Sequence, residues 1–355
     1  MKRLEALEGL RGYAVFLVFL VHSCGIVAAR LYGVDPDSAS FEGMQWPLAA
    51  LLFFFRSHYG VDLFFVLSGL LMADIAARRW PGTRAFLARR ALRIYPAYLA
   101  SGAIALLAGL WMFDQVVTRG DVAANAVFLQ GFFVLGVPAV NPVTWSLSYE
   151  AAFYLAVPLL ALAWRGRNGA PAESGMAWLL AAAFVAIVAA AAALPGEKTI
   201  FFAYFALFIP GLWLGMMDAE SRERAARRLP TWVAVGAWIA FTLSFKLGLF
   251  ANTQPAYYVA SAAACGLLVL KACDGACLPA RLLSTRPALA LGRISYSFFL
   301  IHVVVLHVLA RVLIEVPGAE HRAAFAAAVF MGGFALSLLA AWLLFQAAER
   351  FYFRR

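Results

Sequence analysis

Charged side chains are scarce in this 355-residue sequence, in which Asp, Glu, Lys and Arg together make up 14% of the residues. Hydrophobic residues make up 64%, and the mean hydropathy is +0.81. A soluble domain has too little interior to bury so much apolar surface, so this composition excludes the soluble classes. Short alternating strands are also missing. Apolar runs of about 16–24 residues take their place, which argues against an outer-membrane barrel and predicts an all-α integral membrane protein.

Spacings typical of metal sites are missing as well. His302 and His307 are five residues apart, so neither the H-x3-H nor the H-E-x2-H arrangement occurs there. The four cysteines lack the paired spacing of a zinc site: Cys24, Cys265, Cys273 and Cys277. The last three lie near the predicted cytoplasmic end of a span, where thiols stay reduced. We therefore expect no metal cofactor.

The apolar runs predict about ten transmembrane helices with both termini on the same side. The expected spans are 10–29, 60–77, 94–112, 145–163, 176–193, 200–217, 231–249, 256–271, 294–313 and 323–346. Loops on the side of the termini carry 21 of the 29 lysines and arginines, and the opposite loops carry 7. By the positive-inside rule we expect both termini to be cytoplasmic. This topology accounts for the net charge of +10, so no nucleic-acid partner is expected.

No soluble domain, low-complexity linker or convincing internal repeat interrupts the chain. We therefore predict a single transmembrane domain over residues 1–355. The N-terminal stretch is not a clean signal peptide, because Glu5 and Glu8 interrupt its apolar run, and we expect it to be retained. Two non-cytoplasmic segments, 30–59 and 113–144, are too long for simple turns, and we expect them to roof an opening on that face.

The first span carries two ionisable residues, Arg11 near its entrance and His22 deep inside. Eleven residues of α-helix rise about 16 Å and turn through three full turns plus roughly 20°, so both side chains lie on one stripe. An arginine near the centre of a membrane costs about 2.5–3.5 kcal/mol, and such residues usually face a functional cavity. The alternative is that Arg11 extends its head to the interface and His22 bonds a neighbouring helix.

The stretch HYGVDLFFVLSGLLM, from His58 to Met72, places small residues in the second span. Ser68 and Gly69 allow close approach of another helix or of a ligand. Asp62 lies near the outer end of this span, where a carboxylate is also favoured by the positive end of the helix dipole.

A basic loop from Arg78 to Pro96 contains Arg90 and Arg93, three residues apart on one helix face at the start of the third span. A positive-inside loop needs basic residues in any case, so the pair has an ordinary explanation. If the pair faces the bundle, it makes a phosphate clamp open to the cytoplasm.

The stretch PVTWSLSYEAAFY, from Pro142 to Tyr154, places Glu150 about one and a half turns inside the fourth span. A carboxylate at this depth needs a partner, and we expect His22 or an arginine. Farther along, ISYSFFLIH ends at His302, which we expect to bond a neighbouring helix rather than to catalyse a reaction.

Five stretches, in this order and at these depths, resemble the successive motifs of the acyltransferase-3 family of polytopic membrane O-acyltransferases. They are LEGLRGYAVFLVFLVH with its Arg-x10-His spacing, GVDLFFVLSGLL, RRALRIYP, WSLSYEAAFY and ISYSFFLIH. The resemblance covers the chain nearly end to end. Two departures are visible: Tyr149 stands where a small or aliphatic residue is common, and no proline follows the glutamate of the tail AERFYF. We expect Tyr149 to shape the acceptor pocket.

The resemblance implies a reaction between an acyl-CoA and a carbohydrate hydroxyl. Family members O-acylate glycans beyond the cytoplasmic membrane, most often with acetyl groups, so the resemblance implies a multi-pass protein of the bacterial cytoplasmic (inner) membrane. The expected donor is acetyl-CoA or another acyl-CoA, which enters from the cytoplasm with its phosphates held by Arg11, Arg90 and Arg93. We place Ser68 in the same donor site. The expected partners are this donor, a glycan or lipid-linked carbohydrate acceptor, and membrane lipids.

The resemblance and the residue pattern together predict His22 as the general base that takes the proton of the acceptor hydroxyl. Glu150 is predicted to orient the His22 imidazole or to stabilise its charged form. A two-step route in which His22 itself carries the acyl group is also open, and a thiol carrier at Cys24 is a remote alternative.

Other classes make different predictions. A secondary transporter or exporter of a small anionic or glycan-like solute also places charges in a polytopic bundle, although inverted repeats are not found here. A noncatalytic glycan-binding scaffold would not need His22. A membrane-bound O-acyltransferase of the other known type shares the donor but builds its site around a histidine in a later span.

Overall fold

The computed structural model describes residues 2–36, 39, 44, 46–112, 116–165, 173–194, 197–315 and 321–353. Within these ranges every regular element is helical, which confirms the predicted all-α membrane class. The helices are α1 Lys2–Tyr32, α2 Leu48–Phe55, α3 Gly60–Arg78, α4 Thr83–Met112, α5 Arg119–Ala126, α6 Trp145–Arg165, α7 Glu173–Ala192, α8 Glu197–Ala206, α9 Phe208–Met216, α10 Ala219–Arg228, α11 Thr231–Lys246, α12 Pro255–Ala272, α13 Leu278–Leu283, α14 Arg286–Arg293, α15 Ser295–Glu315, α16 Arg322–Ala327, α17 Gly333–Leu344 and α18 Arg350–Phe353.

Eight helical stretches in the described ranges are long and apolar enough to cross a membrane. A ninth is obtained if Phe201–Met216 and Ala219–Arg228, which meet at 109°, are counted as one broken span. Helix α11 is apolar but shorter. Each of the ten predicted spans falls largely on helical residues, while their number and the cytoplasmic location of the termini remain predictions.

The start of the first helix and the end of the last helix lie at the same end of the bundle. Near the start of α1, Glu8 lies 3.5 Å from the Nε of Arg293, the last residue of α14. Near the end of the chain, Glu349 forms an ion pair with Arg93 on α4. We call this the terminal end of the bundle. The arrangement is what an even number of crossings requires.

The last helix is continuous from Arg322 to Phe353 and contains two π-helical turns, Ala328–Gly332 and Phe345–Glu349. A π turn adds a residue to the helical repeat and so changes which side chains face inward, and it occurs frequently at functional sites. The second turn ends at Glu349, whose carboxylate is buried. In an α-helix without this π turn, the Glu349 side chain would point in a different direction.

Helices α3 and α9 pack with their backbones almost in contact. A Cβ atom added to Gly211 would lie 1.8 Å from the carbonyl oxygen of Val66, and one added to Gly69 would lie 2.2 Å from that of Phe208. Small residues permit such close approach in membranes, where there is no hydrophobic force between helices and packing decides association. The close helix approach expected next to Ser68 is therefore made by Gly69.

At the end of the bundle opposite the terminal end, polar contacts hold the connecting segments against the helices. Lys246 at the end of α11 donates to the carbonyl oxygen of Phe53 at 2.8 Å and to Ser57 Oγ at 3.0 Å, which satisfies a free carbonyl of α2. Asn141 Nδ2 donates to the carbonyl oxygen of Leu300 in α15 at 2.7 Å. Residues 37, 38, 40–43, 45 and 113–115 lie outside the described ranges, and the proposed roof over this face stays a prediction.

We expect Gly211→Ala to destabilise the bundle, because the new methyl group forces α3 and α9 apart. Overpacking of this kind costs about 1–3 kcal/mol. The measurement is the unfolding temperature of the purified protein in detergent. Gly236→Ala in α11 is the matched control, since an added Cβ meets nothing within 4 Å there. Equal unfolding temperatures for the two variants would contradict the packing described here.

Candidate active site

A cavity of about 680 Å³ lies between α1, α3, α4, α6, α14, α15 and the last helix. This volume is in the range of pockets that enclose small molecules and cofactors. Its wall is apolar along α3, where Val61, Phe64, Leu67 and Leu71 face it. Its polar lining residues are Glu8, Arg11, Ser68, Arg79, Arg90, Arg93, Ser146, Glu150, Tyr154, Arg293, Ser295, Tyr296 and Tyr352.

Five arginines line this cavity, and three of them are neutralised by carboxylates. Arg79 forms an ion pair with Asp74, and Arg293 lies near Glu8 as described above. Arg93 pairs with Glu349. The structure therefore brings together Arg11, Arg90 and Arg93, which the sequence placed in one donor site.

Arg11 and Arg90 retain unused hydrogen-bonding capacity. The Nε atoms of both are buried and meet no acceptor among the described residues. The Nη2 of Arg90 donates to the hydroxyl of Tyr352 at 2.6 Å, and its guanidinium lies 5.9 Å from the ring centre of Tyr154. A buried donor without an acceptor is costly, so an anionic ligand that supplies acceptors would be favoured at these two arginines.

Glu349 completes the arginine end of the cavity, and the sequence did not assign it a role. Its side chain is 0% exposed, pairs with Arg93 and accepts a hydrogen bond from Ser297 Oγ. The Arg93 guanidinium also lies 5.2 Å from the ring centre of Tyr296. The pair fixes α4 against α15 and the last helix. In the sequence the only signal was a glutamate in an otherwise apolar tail.

Glu150 lies in the cavity, but its contacts differ from those predicted. One oxygen, Oε1, accepts hydrogen bonds from Ser68 Oγ at 3.0 Å and from the Tyr154 hydroxyl. His22 is not among its partners. No hydrogen bond joins Glu150 to His22 within the described residues, and the predicted role of Glu150 toward the imidazole stays a prediction. Of the partners expected for Glu150, Arg11 is an electrostatic neighbour.

His22 lies outside the lining of the cavity and is partly exposed. Its ring centre is 5.1 Å from that of His302, and the two planes are inclined by 55°. His58 and His307 are the next titratable groups that act on it electrostatically. The structure thus brings the rings of His22 and His302 side by side, whereas the hydrogen bonds of His302 within the described residues go to carbonyl oxygens of its own helix and not to a neighbouring helix as expected.

Two phenylalanines separate the cavity from the histidine pair. Phe64 and Phe299 both line the cavity, with ring centres 6.2 Å apart in an edge-to-face arrangement. The ring of Phe299 is also 6.3 Å from that of His302. The histidines therefore lie directly beyond the aromatic end of the cavity, at the end away from the arginines.

Two other residues singled out from the sequence belong to the core. Tyr149 is fully buried among Phe65, Trp145 and Tyr204 and does not line the cavity, and its expected role in an acceptor pocket stays a prediction. Asp62 is buried and does not line the cavity. Its Oδ2 accepts hydrogen bonds from the hydroxyls of Tyr257 and Ser261, both at 2.6 Å, which ties α3 to α12.

The described residues contain no group of three or more His, Cys, Asp or Glu side chains arranged to hold a metal ion. All four cysteines are free and buried.

Comparison with known proteins gives consistent matches. The acyltransferase-3 family profile, described as an acyltransferase domain, matches residues 4–345. The exopolysaccharide production protein ExoZ of Rhizobium meliloti (strain 1021) is 31% identical over 274 residues, which cover 71% of this chain and 77% of that protein. No solved structure matches the chain.

Two further relatives share shorter segments. The acyltransferase MdmB of Streptomyces mycarofaciens is 30% identical over 44% of this chain and 39% of its own length. The peptidoglycan O-acetyltransferase OatA of Listeria monocytogenes serovar 1/2a is 28% identical over 29% of this chain and 19% of its own length. The matched region is thus less than half of these two relatives.

We expect Glu349→Gln to destabilise the protein by about 3–5 kcal/mol, because Arg93 is left as a buried charge without its carboxylate. The double variant Arg93→Met, Glu349→Leu removes both charges and should recover most of that loss. Both expectations are checked by measuring the free energy of unfolding of each variant in detergent with increasing denaturant. A double variant as unstable as the single one would contradict the assignment of this ion pair.

Proposed function

This chain belongs to the acyltransferase-3 family and is an O-acyltransferase, and on that premise we propose the reaction that it carries out. It moves an acyl group, in the simplest case acetyl, from cytoplasmic acyl-CoA to a hydroxyl of a carbohydrate on the far side of the membrane. The observation that carries the proposal is the arginine-ended cavity, whose lining residue Phe299 lies against His302, the ring neighbour of His22.

The arginine end suits the phosphates of the donor. Guanidinium groups bind phosphate through paired hydrogen bonds, and Arg11 and Arg90 have buried Nε atoms available for this. Arg93 also lines this end of the cavity from α4, with its charge balanced by Glu349. This end of the cavity is the terminal end of the bundle, so a cytoplasmic position of the termini brings the donor in from the cytoplasm.

The apolar middle of the cavity suits the extended arm of the donor. Along α1, Arg11 and His22 are separated by about 16 Å, a distance of the order of the pantetheine arm. Ser68 holds one oxygen of Glu150, and the other oxygen meets no donor among the described residues, so it is available to the amide N–H groups of the arm. The acyl group then reaches His22 between Phe64 and Phe299.

His22 acts as the general base. A hydroxyl is a poor nucleophile until its proton is removed, and a neutral imidazole can remove it near neutral pH. The acceptor oxygen attacks the thioester carbonyl, its proton passes to His22, the carbon–sulfur bond breaks, and the departing sulfur takes the proton. The products are the O-acylated acceptor and free CoA thiol. A route through acyl-His22 uses the same groups in two steps.

A glycan or lipid-linked carbohydrate is the acceptor that we propose. The names of ExoZ and OatA, an exopolysaccharide production protein and a peptidoglycan O-acetyltransferase, support a glycan. The partly exposed ring of His22 is where such an acceptor would meet the donor. The transporter and the scaffold alternatives lose their basis, because the chain belongs to a family of acyltransferases.

Thiol release from acetyl-CoA tests the reaction directly. Purified protein in detergent should release free CoA thiol faster when mixed glycan acceptors are added, and mass spectrometry should show one added acetyl mass on the acceptor. Mass spectra of surface glycans from strains with and without the gene test the same activity in the cell. A protein that binds acetyl-CoA but never releases thiol with any acceptor would refute the proposal.

We expect Arg90→Gln to weaken binding of acetyl-CoA about 10- to 100-fold, since a charge-assisted hydrogen bond contributes about 1.5–3 kcal/mol. Titration calorimetry measures this. Arg89→Gln is the matched control: the neighbouring arginine is exposed and does not line the cavity. Equal affinities of the two variants would show that the donor phosphates lie elsewhere.

His22→Ala should lower kcat by about 10² to 10⁴, the usual contribution of a general base, with little change in donor affinity. Cys24→Ala removes a buried side chain two residues farther along α1 and serves as control. It should retain activity, because the thiol has no role in the proposed reaction. A His22→Ala protein that transfers acetyl groups at the unaltered rate would refute His22 as base.

A further inference from the structure

The tautomer of His302 is determined by its own helix. His302 is completely buried, and its Nδ1 lies 3.0 Å from the carbonyl oxygen of Phe298 and 2.9 Å from that of Phe299. Carbonyl oxygens only accept hydrogen bonds, so Nδ1 has to carry the hydrogen. In a neutral imidazole, the other nitrogen, Nε2, is then a hydrogen-bond acceptor.

That acceptor is buried and meets no donor among the described residues. The ring next to it is that of His22, with its centre 5.1 Å away and its plane inclined by 55°. At this separation, a small rotation of the His22 side chain brings a ring nitrogen within the ~3 Å of a hydrogen bond to Nε2. An N–H of His22 would satisfy the unpaired atom.

We infer that His302 is the positioning residue of the catalytic base: its Nε2 accepts the N–H of His22 and leaves the other His22 nitrogen as the basic one. This inference rests on the proposed role of His22. In many catalytic histidines a carboxylate fixes the tautomer. Here a neutral imidazole takes that place, and two backbone carbonyls fix the tautomer of this imidazole.

The surroundings of the pair agree with a neutral partner. The titratable groups that act on His22 within the described residues are His302, His58 and His307, and none of them is a carboxylate. Glu150, the carboxylate expected from the sequence, is held by Ser68 and Tyr154 instead. An imidazolium at His22 is thus formed without a neighbouring anion, which favours prompt return of the proton to the departing sulfur.

Substitution of His302 tests the role by rate and by rescue. His302→Leu should lower kcat about 100-fold, in the range of general-base effects, with an unaltered KM for acetyl-CoA. His302→Gln should recover at least about tenfold of that loss, because its amide oxygen can accept the His22 N–H. His321→Gln, at an exposed position, controls for loss of a histidine and should not lower kcat. Equal kcat values for the Leu and Gln variants would overturn the inference.

A second measurement does not require an active enzyme. The chain has five histidines, so ¹⁵N NMR of protein labelled only in histidine rings gives few signals. The signals lost in His302→Gln, or in His22→Ala, identify the two rings. The inference requires one protonated nitrogen in His302, at Nδ1, and one in His22. Hydrogen on Nε2 of His302, or on both of its nitrogens, overturns it.

The two measurements separate the inference from the proposed function. If the unaltered protein never transfers an acetyl group but shows the required tautomers, the histidine contact stands and the proposed reaction fails. If transfer is normal and His302 carries its hydrogen on Nε2, the reaction stands and this role of His302 fails.

Discussion

The arrangement of this protein depends on a pair of opposite charges inside an apolar bundle. Arg93 on α4 and Glu349 on the last helix are both largely buried, and each would be costly alone in a membrane. Together they join the helix that carries Arg90 to the helix that carries Tyr352, and both of these residues line the cavity. The pair thereby closes one wall and leaves Arg11 and Arg90 as the cations available to a ligand.

A second constraint is the division of one helix between two environments. Helix α1 presents Arg11 to a cavity that begins at the terminal end of the bundle, and His22 to a histidine pair beyond Phe64 and Phe299. The arginines line the cavity, and His22 lies outside its lining. This separation suits a reaction in which a polyanionic donor and an uncharged hydroxyl approach from different sides.

The sequence predicted those parts of the site that follow from position along a single helix. The spacing of Arg11 and His22 and the shared face of Arg90 and Arg93 are properties of helical geometry, and the cavity lining contains all but His22 of these four. Contacts between helices were not predictable in this way. Glu150 was expected to find His22 or an arginine, but two hydroxyls hold it.

Glu349 and His302 show why the remainder was missed. A π turn redirects Glu349 toward Arg93, and a search for 3.6-residue periodicity does not reveal such a turn. The tautomer of His302 depends on two backbone carbonyls of its own helix, and its ring neighbour His22 comes from a helix far away in the chain. The packing of glycines between α3 and α9 brings these helices into register, and only the three-dimensional structure shows which glycines meet a backbone.

The most direct test of the account is a cryo-electron microscopy map of the protein with a thioester analogue of acetyl-CoA that cannot be cleaved. The account predicts phosphate density at Arg11 and Arg90, a continuous arm along Ser68 and Glu150, and the acetyl group beyond Phe64 and Phe299, next to His22. Density for the analogue outside this cavity, or an acetyl group that ends at the arginines, would contradict it.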